Sequence, residues 1–185
     1  MSDDTKWKSE TYVERMHDAT SCSMPSIGFS EQYDSTDNGC AIHALQHLLH
    51  LNGIRVQLDH AAVWDTANRN GLIIDGGIAV SDVHKCLDSE LHDTIRRQGM
   101  LFRSLNMHDG ICTREQLRKV IAGLRDRETP FVFAYHGHAY CAYGFHLNGT
   151  CVLNSASKAR VSVFQKGLWH SNRLLWMDET AGNWQ

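Results

Sequence analysis

Cys40 stands at the start of a predicted helix, where a thiol can act as a nucleophile. Residues 40–50 carry apolar side chains at helical spacing, and Gly39 directly precedes them. The unpaired N–H groups and the dipole of a helix N-terminus stabilise an anion, so a thiol there favours its reactive thiolate form. Gly39 lets the backbone turn closely into the helix and leaves the thiol exposed. Cys40 is therefore the candidate nucleophile of a cysteine hydrolase.

A thiol nucleophile needs a base within hydrogen-bond reach and a third group that orients this base. His138 precedes an apolar run, and Asn154 ends the next predicted strand. A hairpin turn at residues 148–149 would bring both side chains to nearby levels, within a register error of a few residues. His136 is the nearest rival base, because it lies two residues away on the same predicted strand. We predict that His138 is the base and that Asn154 orients it.

The remaining cysteines lack the placement of Cys40. Without a secretory signal, the six cysteines are expected to be reduced thiols, the other five being Cys22, Cys86, Cys112, Cys141 and Cys151. A metal site is a weaker alternative, because His43, His47 and His50 follow Cys40 at helical steps. The chain has no Cys-x-x-Cys pair and no His-Glu-x-x-His helix, so we predict neither a metal nor a cofactor.

The elements that must position these residues change type along the chain. Residues 1–30 are a polar lead-in that is either flexible or helical over 10–18, and residues 179–185 are a polar tail. Between them, residues 31–178 are predicted to form a single catalytic domain. Its helices are predicted over 40–50, 59–68, 81–89 and 113–127, and its strands over 131–145, 151–153 and 161–164, with 168–177 a strand or short helix. Helices followed by antiparallel strands predict an α+β domain with the nucleophile helix packed on a C-terminal sheet.

Composition limits the classes of partner. The chain of 185 residues has 18 basic and 21 acidic residues, which gives a net charge of -3. No basic cluster is present, so the sequence gives no footprint for nucleic acid or an anionic membrane surface. No apolar run is long enough to span a membrane, and the first residues lack the apolar core of a secretory signal. We expect a cytoplasmic protein with a protein partner; the sequence does not specify an oligomeric state.

Residues 40–49, Cys-Ala-Ile-His-Ala-Leu-Gln-His-Leu-Leu, resemble the nucleophile helix of Josephin-type deubiquitinating cysteine proteases. The segment around 78–87 after Gly76-Gly77, the strand with His138 and residues 153–155 follow in the family's order, so the resemblance covers roughly residues 37–175. It implies a papain-like fold, hydrolysis of an isopeptide bond at the ubiquitin C-terminus, and the roles of nucleophile, base and orienting residue for Cys40, His138 and Asn154. If the chain is instead a bacterial effector, the expected location is the cytosol of a host cell.

The oxyanion donor is open at the sequence level. The family's glutamine about five residues before the cysteine corresponds to Ser35, which leaves Gln32 and Asn38 as candidates. Residues 39–44 also resemble the Gly-Cys-Ala-x-His-Ala pattern of bacterial-effector glutamine deamidases, which share the papain-like frame. Two alternatives to a ubiquitin-directed protease therefore follow, namely a glutamine deamidase that modifies a host protein and a catalytically inactive protein-binding domain.

Overall fold

The computed structural model describes residues 24–32, 38–147, 149–156, 160–164 and 167–180. The predicted helix at 10–18 and most of the polar tail lie outside the described residues. The described α-helices are α1 (Cys40–Leu51), α2 (His60–Arg69), α3 (Ser89–Arg97) and α4 (Arg114–Asp126). None of these helices is long and apolar enough to cross a membrane.

The strands form one large sheet and one small hairpin. They are β1 (Ile73–Ile74), β2 (Gly77–Ile78), β3 (Met100–Asn106), β4 (Phe131–Tyr135), β5 (His138–His146), β6 (Gly149–Leu153), β7 (Val161–Phe164) and β8 (Arg173–Glu179). Strands β1 and β2 pair with each other, and the others form a 6-stranded sheet in the order β3-β8-β4-β5-β6-β7. Every pairing is antiparallel. The predicted α+β class is confirmed.

Alternation along the central strands divides the core into two clusters, one on each face of the large sheet. Val132 and Cys141 belong to the cluster with α1, whereas Phe133 and Tyr140 belong to the cluster with α4. Successive side chains of a strand point to opposite faces, so a strand buried on both sides contributes to both clusters. The sheet therefore lies between two helical layers. The helix α1 packs on one face of the sheet, as predicted, and α4 packs on the other face.

Capping residues explain where the predicted helices begin. Asp59 caps α2 by accepting the N–H of Ala62, and Thr113 caps α4 in a reciprocal capping box with Gln116. The predicted helix over 81–89 is wrong in type, because Val83–Cys86 is a short 3₁₀ helix. Asp88 accepts the N–H of Leu91 and starts α3 there instead, since Asp favours caps over helix interiors.

The strands and their connections also differ from the prediction. The region 131–145 is not one strand, because a turn at His136 and Gly137 divides it into β4 and β5. Strand β3 has no fully buried residue, as expected for an edge strand. Its sequence therefore lacks the regular alternation of apolar and polar residues that predicts a strand. The region 168–177 is mixed, with a 3₁₀ helix at Gly167–His170 ahead of β8.

Candidate active site

Cys40 is the first residue of α1 and directly follows the N-cap residue Gly39. Glycine has no side chain that could cap the helix, and the first turn contains no acidic residue. Asn38 lies one residue before the N-cap position. The amide dipoles at this end of α1 thus act on Cys40 with no carboxylate in the first turn to oppose them.

Small side chains bring α1 close to β5. Ala41 and Ala44 of the helix and Ala139 and Cys141 of the strand belong to one core cluster, against which Cys40 also packs. Because these side chains are short, the helix and the strand can approach more closely than larger residues would allow. Ala139 directly follows His138, so the close approach lies next to the candidate base.

The His138 ring is bonded to Asn154, as the sequence predicts. Nε2 of His138 lies 2.9 Å from Oδ1 of Asn154, and the same oxygen accepts the N–H of Ala156 at 3.1 Å. A backbone N–H requires an acceptor, so this second bond fixes which end of the amide is oxygen. Nε2 of His138 must therefore donate, and the lone pair of the neutral ring lies on Nδ1. Asn154 thus selects one tautomer of His138.

A β-bulge in β5 sets the register between the two strands. Cys141 lies opposite Leu153, whereas Gly144 lies opposite Cys151, and the irregularity falls between Ala142 and Gly144. One extra residue of β5 is accommodated there, as in bulges generally. Everything in β5 before the bulge is therefore shifted by one residue relative to β6.

This shift brings Asn154 to the face of β5 that carries His138. Continued by one residue, the register places Asn154 level with Tyr140, and Tyr140 shares a face with His138, whose ring centroid lies 4.7 Å from its own. Diagonal neighbours two residues apart on one face are within side-chain reach. Without the bulge, Asn154 would be level with Cys141 and on the opposite face. The bulge is therefore what makes the contact possible.

Gln32 is held beside the loop that carries Asn154. Its N–H donates to the carbonyl oxygen of Ser155 at 3.0 Å, and its Oε1 accepts the Ser155 hydroxyl at 3.0 Å. With Oε1 turned toward Ser155, the amide nitrogen of Gln32 lies on the other side of the group. Ser155 is a residue of the site that sequence reasoning missed, because only the folded loop shows its contact with a residue so distant in sequence.

Asn38, the other oxyanion candidate, faces a different part of the molecule. Its side chain is exposed, and its amide nitrogen lies 4.0 Å from the position that a Cβ would take on Gly76. Gly76 lies in the turn between β1 and β2. The structure therefore brings Gln32, and not Asn38, to the loop that carries Asn154.

The other described cysteines differ from Cys40 in burial or bonding. Cys86, Cys112 and Cys141 are free and buried, whereas Cys40 is free and half-buried. Burial raises the pKa of the Cys141 thiol strongly and that of the Cys86 thiol as well. Cys151 is disulfide-bonded, so the expectation that all cysteines are reduced is wrong for this residue. Spatial proximity of two thiols is not encoded in local sequence.

The rival histidines have other placements. His136 is exposed in the turn before β5, with φ of 47°, so it does not share the strand face of His138. His47 and His50 instead bond the segment 28–30 through their rings. Within the described residues, no group of three or more potential metal ligands is placed to hold an ion.

Comparison with solved structures identifies the fold. The chain is similar to the peptidase domain of Streptococcus ComA, a bi-functional ABC transporter involved in a quorum sensing pathway, with 12% identity and a TM-score of 0.52 over 81% of this chain and 96% of that one. It is also similar to a double glycine motif protease from an AMS/PCAT transporter, solved in complex with its leader peptide, with 18% identity and a TM-score of 0.52 over 84% and 93% of the two chains. No family model and no curated protein matches the sequence. The papain-like fold is thus confirmed.

The resemblance to Josephin-type deubiquitinating proteases is wrong, and so is the weaker one to effector deamidases. The two solved structures described above are a transporter peptidase domain and a double glycine motif protease from a transporter. The two misleading patterns, residues 40–49 and 39–44, combine a thiol at a helix start with small and apolar residues that pack in the core. Those features serve the shared fold, and they carry no information about the surface that selects a substrate.

Proposed function

We propose that this chain is a thiol peptidase in which Cys40 attacks an amide carbonyl of a peptide or protein substrate. The observation that carries the proposal is the bond between His138 and Asn154, because it holds the imidazole in one tautomer. A histidine with its lone pair on Nδ1 can accept the proton of a thiol. Cys40 supports the same conclusion, since it is the only free cysteine among the described residues that is not buried.

In the proposed first step, His138 Nδ1 takes the proton of Cys40 and gives a thiolate beside an imidazolium ion. The thiolate sulfur forms a bond to the carbonyl carbon, and the electrons of the C=O bond move to the oxygen. When the C–N bond breaks, the leaving amine takes the proton from His138. The products are a Cys40 thioester and a free amine.

In the second step, water attacks the thioester carbonyl while His138 again accepts a proton. The C–S bond breaks, the carboxylic acid leaves, and the proton returns to the Cys40 sulfur. Asn154 keeps its bond to Nε2 throughout, so the ring retains its orientation in both protonation states. No cofactor enters this cycle.

Gln32 is the proposed oxyanion donor, together with the backbone N–H of Cys40. The negative charge that forms on the substrate oxygen needs donors already in place before reaction. The bonds of Gln32 support this role. Its backbone N–H and its side-chain oxygen are both bonded to Ser155, so the amide nitrogen points away from Ser155. Asn38 is not proposed, since it faces Gly76.

The substrate class is proposed as a peptide or an unfolded protein segment. A protease of the same fold was solved with a leader peptide, and extended peptides suit a site between a helix end and a strand end. A peptide library that includes sequences with two consecutive glycines is therefore an appropriate first substrate.

Thiol labelling tests the proposal. The full chain is treated with chloroacetamide at pH 7, and the modified cysteines are located by mass spectrometry. Cys40 should be alkylated at least about tenfold faster than Cys86, Cys112 or Cys141, because a thiolate reacts and buried thiols remain protonated. His138→Ala should remove that preference. Equal labelling of the free cysteines, or a preference for Cys40 that survives in His138→Ala, would contradict the proposal.

A further inference from the structure

Two buried histidines of α1 have no role in the proposed chemistry. His43 and His47 are 2% and 0% exposed. The N–H of Ser30 donates to Nε2 of His47 at 2.9 Å, and the hydroxyl of Ser30 lies 2.6 Å from Nδ1 of His43. The Phe29 ring stacks on His47 at 4.9 Å. The histidines therefore hold one short segment of chain, residues 28–32, which we name the strap.

The strap runs antiparallel to α1. The carbonyl oxygen of Gly28 lies 3.2 Å from Nδ1 of His50, near the C-terminal end of the helix, whereas Ser30 contacts His47 and His43. From His43 back to the first residue of α1 is about 4.5 Å at the helical rise. From Ser30 to Gln32 is about 6.6 Å in an extended chain. Gln32 is thus carried to the level of Cys40.

The far end of the strap is attached to the loop that carries Asn154. Gln32 is bonded to Ser155 through both its backbone and its side chain. The guanidinium of Arg160 lies 5.0 Å from the centre of the Phe29 ring, and the Arg160 carbonyl oxygen accepts the N–H of Asn154. The strap therefore lies between the nucleophile helix and the loop of the orienting asparagine, fixed on both sides.

The bond to Ser30 also fixes the state of His47. A backbone N–H can donate only to a ring nitrogen with a lone pair, so the proton of a neutral His47 lies on Nδ1. Burial lowers the pKa of His47 to about 3, so the ring is neutral at neutral pH. The imidazole thus acts as a fixed acceptor and contributes no charge near the thiolate.

We propose that His43 and His47 are positioning residues that place Gln32 at the oxyanion. This inference rests on the proposed function and deepens it, since it assigns the buried histidine face of the nucleophile helix to the same site. The strap transmits the position of the helix to Gln32, so the amide nitrogen of Gln32 and the backbone N–H of Cys40 keep one relative geometry. A donor displaced by about 1 Å loses much of its effect on the transition state.

The test compares variants of the full chain that keep or remove the hydrogen-bonding groups of the two rings. His47→Gln retains an acceptor near the Nε2 position, and His43→Asn retains a hydrogen-bonding group near Nδ1, whereas His47→Leu and His43→Leu retain no polar group. Each variant is made alone and together with Gln32→Ala. Thr113→Ala, which loses the cap of α4 on the other side of the sheet, controls for a general loss of stability.

Two rates are measured on each variant. Hydrolysis of a fluorogenic peptide, built on a cleavage sequence found with the peptide library, requires the oxyanion donor. Alkylation of Cys40 by chloroacetamide requires only the thiolate, since no oxyanion forms. Gln32→Ala should lower kcat about a hundredfold. His43→Leu and His47→Leu should lower kcat at least about tenfold with little change in KM or in the alkylation rate, and His43→Asn and His47→Gln should recover most of it.

The double variants decide the outcome. If the histidines act through Gln32, adding His43→Leu to Gln32→Ala should change kcat by less than about twofold. The inference is overturned if His43→Leu lowers kcat by the same factor with and without Gln32. It is also overturned if His43→Leu slows alkylation of Cys40 by the same factor as it lowers kcat. If Gln32→Ala is as active as the wild type, the inference fails while the proposed peptidase stands. If the wild type neither cleaves peptides nor is labelled selectively at Cys40, both the proposed function and the inference fail.

Discussion

At the scale of single residues, the side-chain amide of Asn154 joins two parts of the candidate site. Its oxygen accepts from both His138 and the backbone N–H of Ala156, and the backbone N–H of Asn154 donates to the Arg160 carbonyl oxygen. The side chain is 1% exposed, so these bonds are sheltered from competing water. An acceptor held this way restricts the imidazole of His138 to one orientation.

Substitution of Asn154 should separate orientation from charge. Asn154→Ala removes the acceptor for His138, and kcat/KM for peptide hydrolysis should fall about tenfold to a hundredfold, since a base that rotates is seldom placed for proton transfer. Asn154→Asp keeps the acceptor oxygen and should retain most of the activity. Thermal melts of both variants would show whether folding is preserved. Equal activity of Asn154→Ala and wild type would mean that the asparagine does not orient the base.

Each of the three residues proposed for catalysis has a local signal in the sequence. Cys40 begins a periodic apolar segment after glycine, and His138 and Asn154 border strand-like runs. Gln32 and Ser155 have no such signal, because their contact joins segments that are far apart in the sequence. The family resemblances carried by residues 40–49 and 39–44 were wrong, because those residues are determined by packing in the shared fold and not by the substrate.

At the scale of elements, the bulge in β5 decides which face Asn154 shares. Gly144, at the end of the bulge, packs closely against β6, because a Cβ on this residue would lie 3.0 Å from the Cβ of Cys151. A contact this short forces the strands apart or shifts the pairing. The bulge itself could not be predicted, since a strand with one extra residue has the same composition as one without it.

Two glycine substitutions should therefore change stability in opposite directions. Gly144→Ala should lower the free energy of unfolding by about 1–3 kcal/mol through overpacking against Cys151. Gly123→Ala should raise it by about 0.5–1 kcal/mol, because Gly123 lies within α4, where an added Cβ would meet Arg127 at an ordinary 3.5 Å. Guanidinium unfolding measures both. A neutral result for Gly144→Ala would show that β5 and β6 adjust without cost.

At the scale of the whole molecule, histidines buried in the neutral state link folding to pH. Burial lowers the pKa of His47 from 6.5 to about 3 and that of His84 to about 4. Below pH 6.5 these two histidines therefore bind protons in the unfolded chain, whereas in the folded chain they stay neutral until the pH is much lower. The stability contributed by His47 is complete above pH 6.5 and is lost as the pH falls toward 3.

This linkage can be isolated with one conservative substitution. Between pH 7.5 and pH 5, His47 alone should lower the free energy of unfolding by about 2 kcal/mol. His47→Gln cannot be protonated, so its unfolding free energy should fall by about 2 kcal/mol less over the same interval. Guanidinium unfolding at both pH values, on both proteins, gives the comparison. Identical pH dependence of the two would show that His47 is not the residue responsible.

The most direct test of the central claim is cleavage of peptides by the thiol of Cys40. The full chain, Cys40→Ala and His138→Ala are each incubated with a proteome-derived peptide library that includes double-glycine sequences, and new N-termini are identified by mass spectrometry. We predict a defined set of cleavage sites with the wild type and none above background with either variant. A folded wild type that cleaves nothing, or the same cleavage sites with Cys40→Ala, would contradict the account.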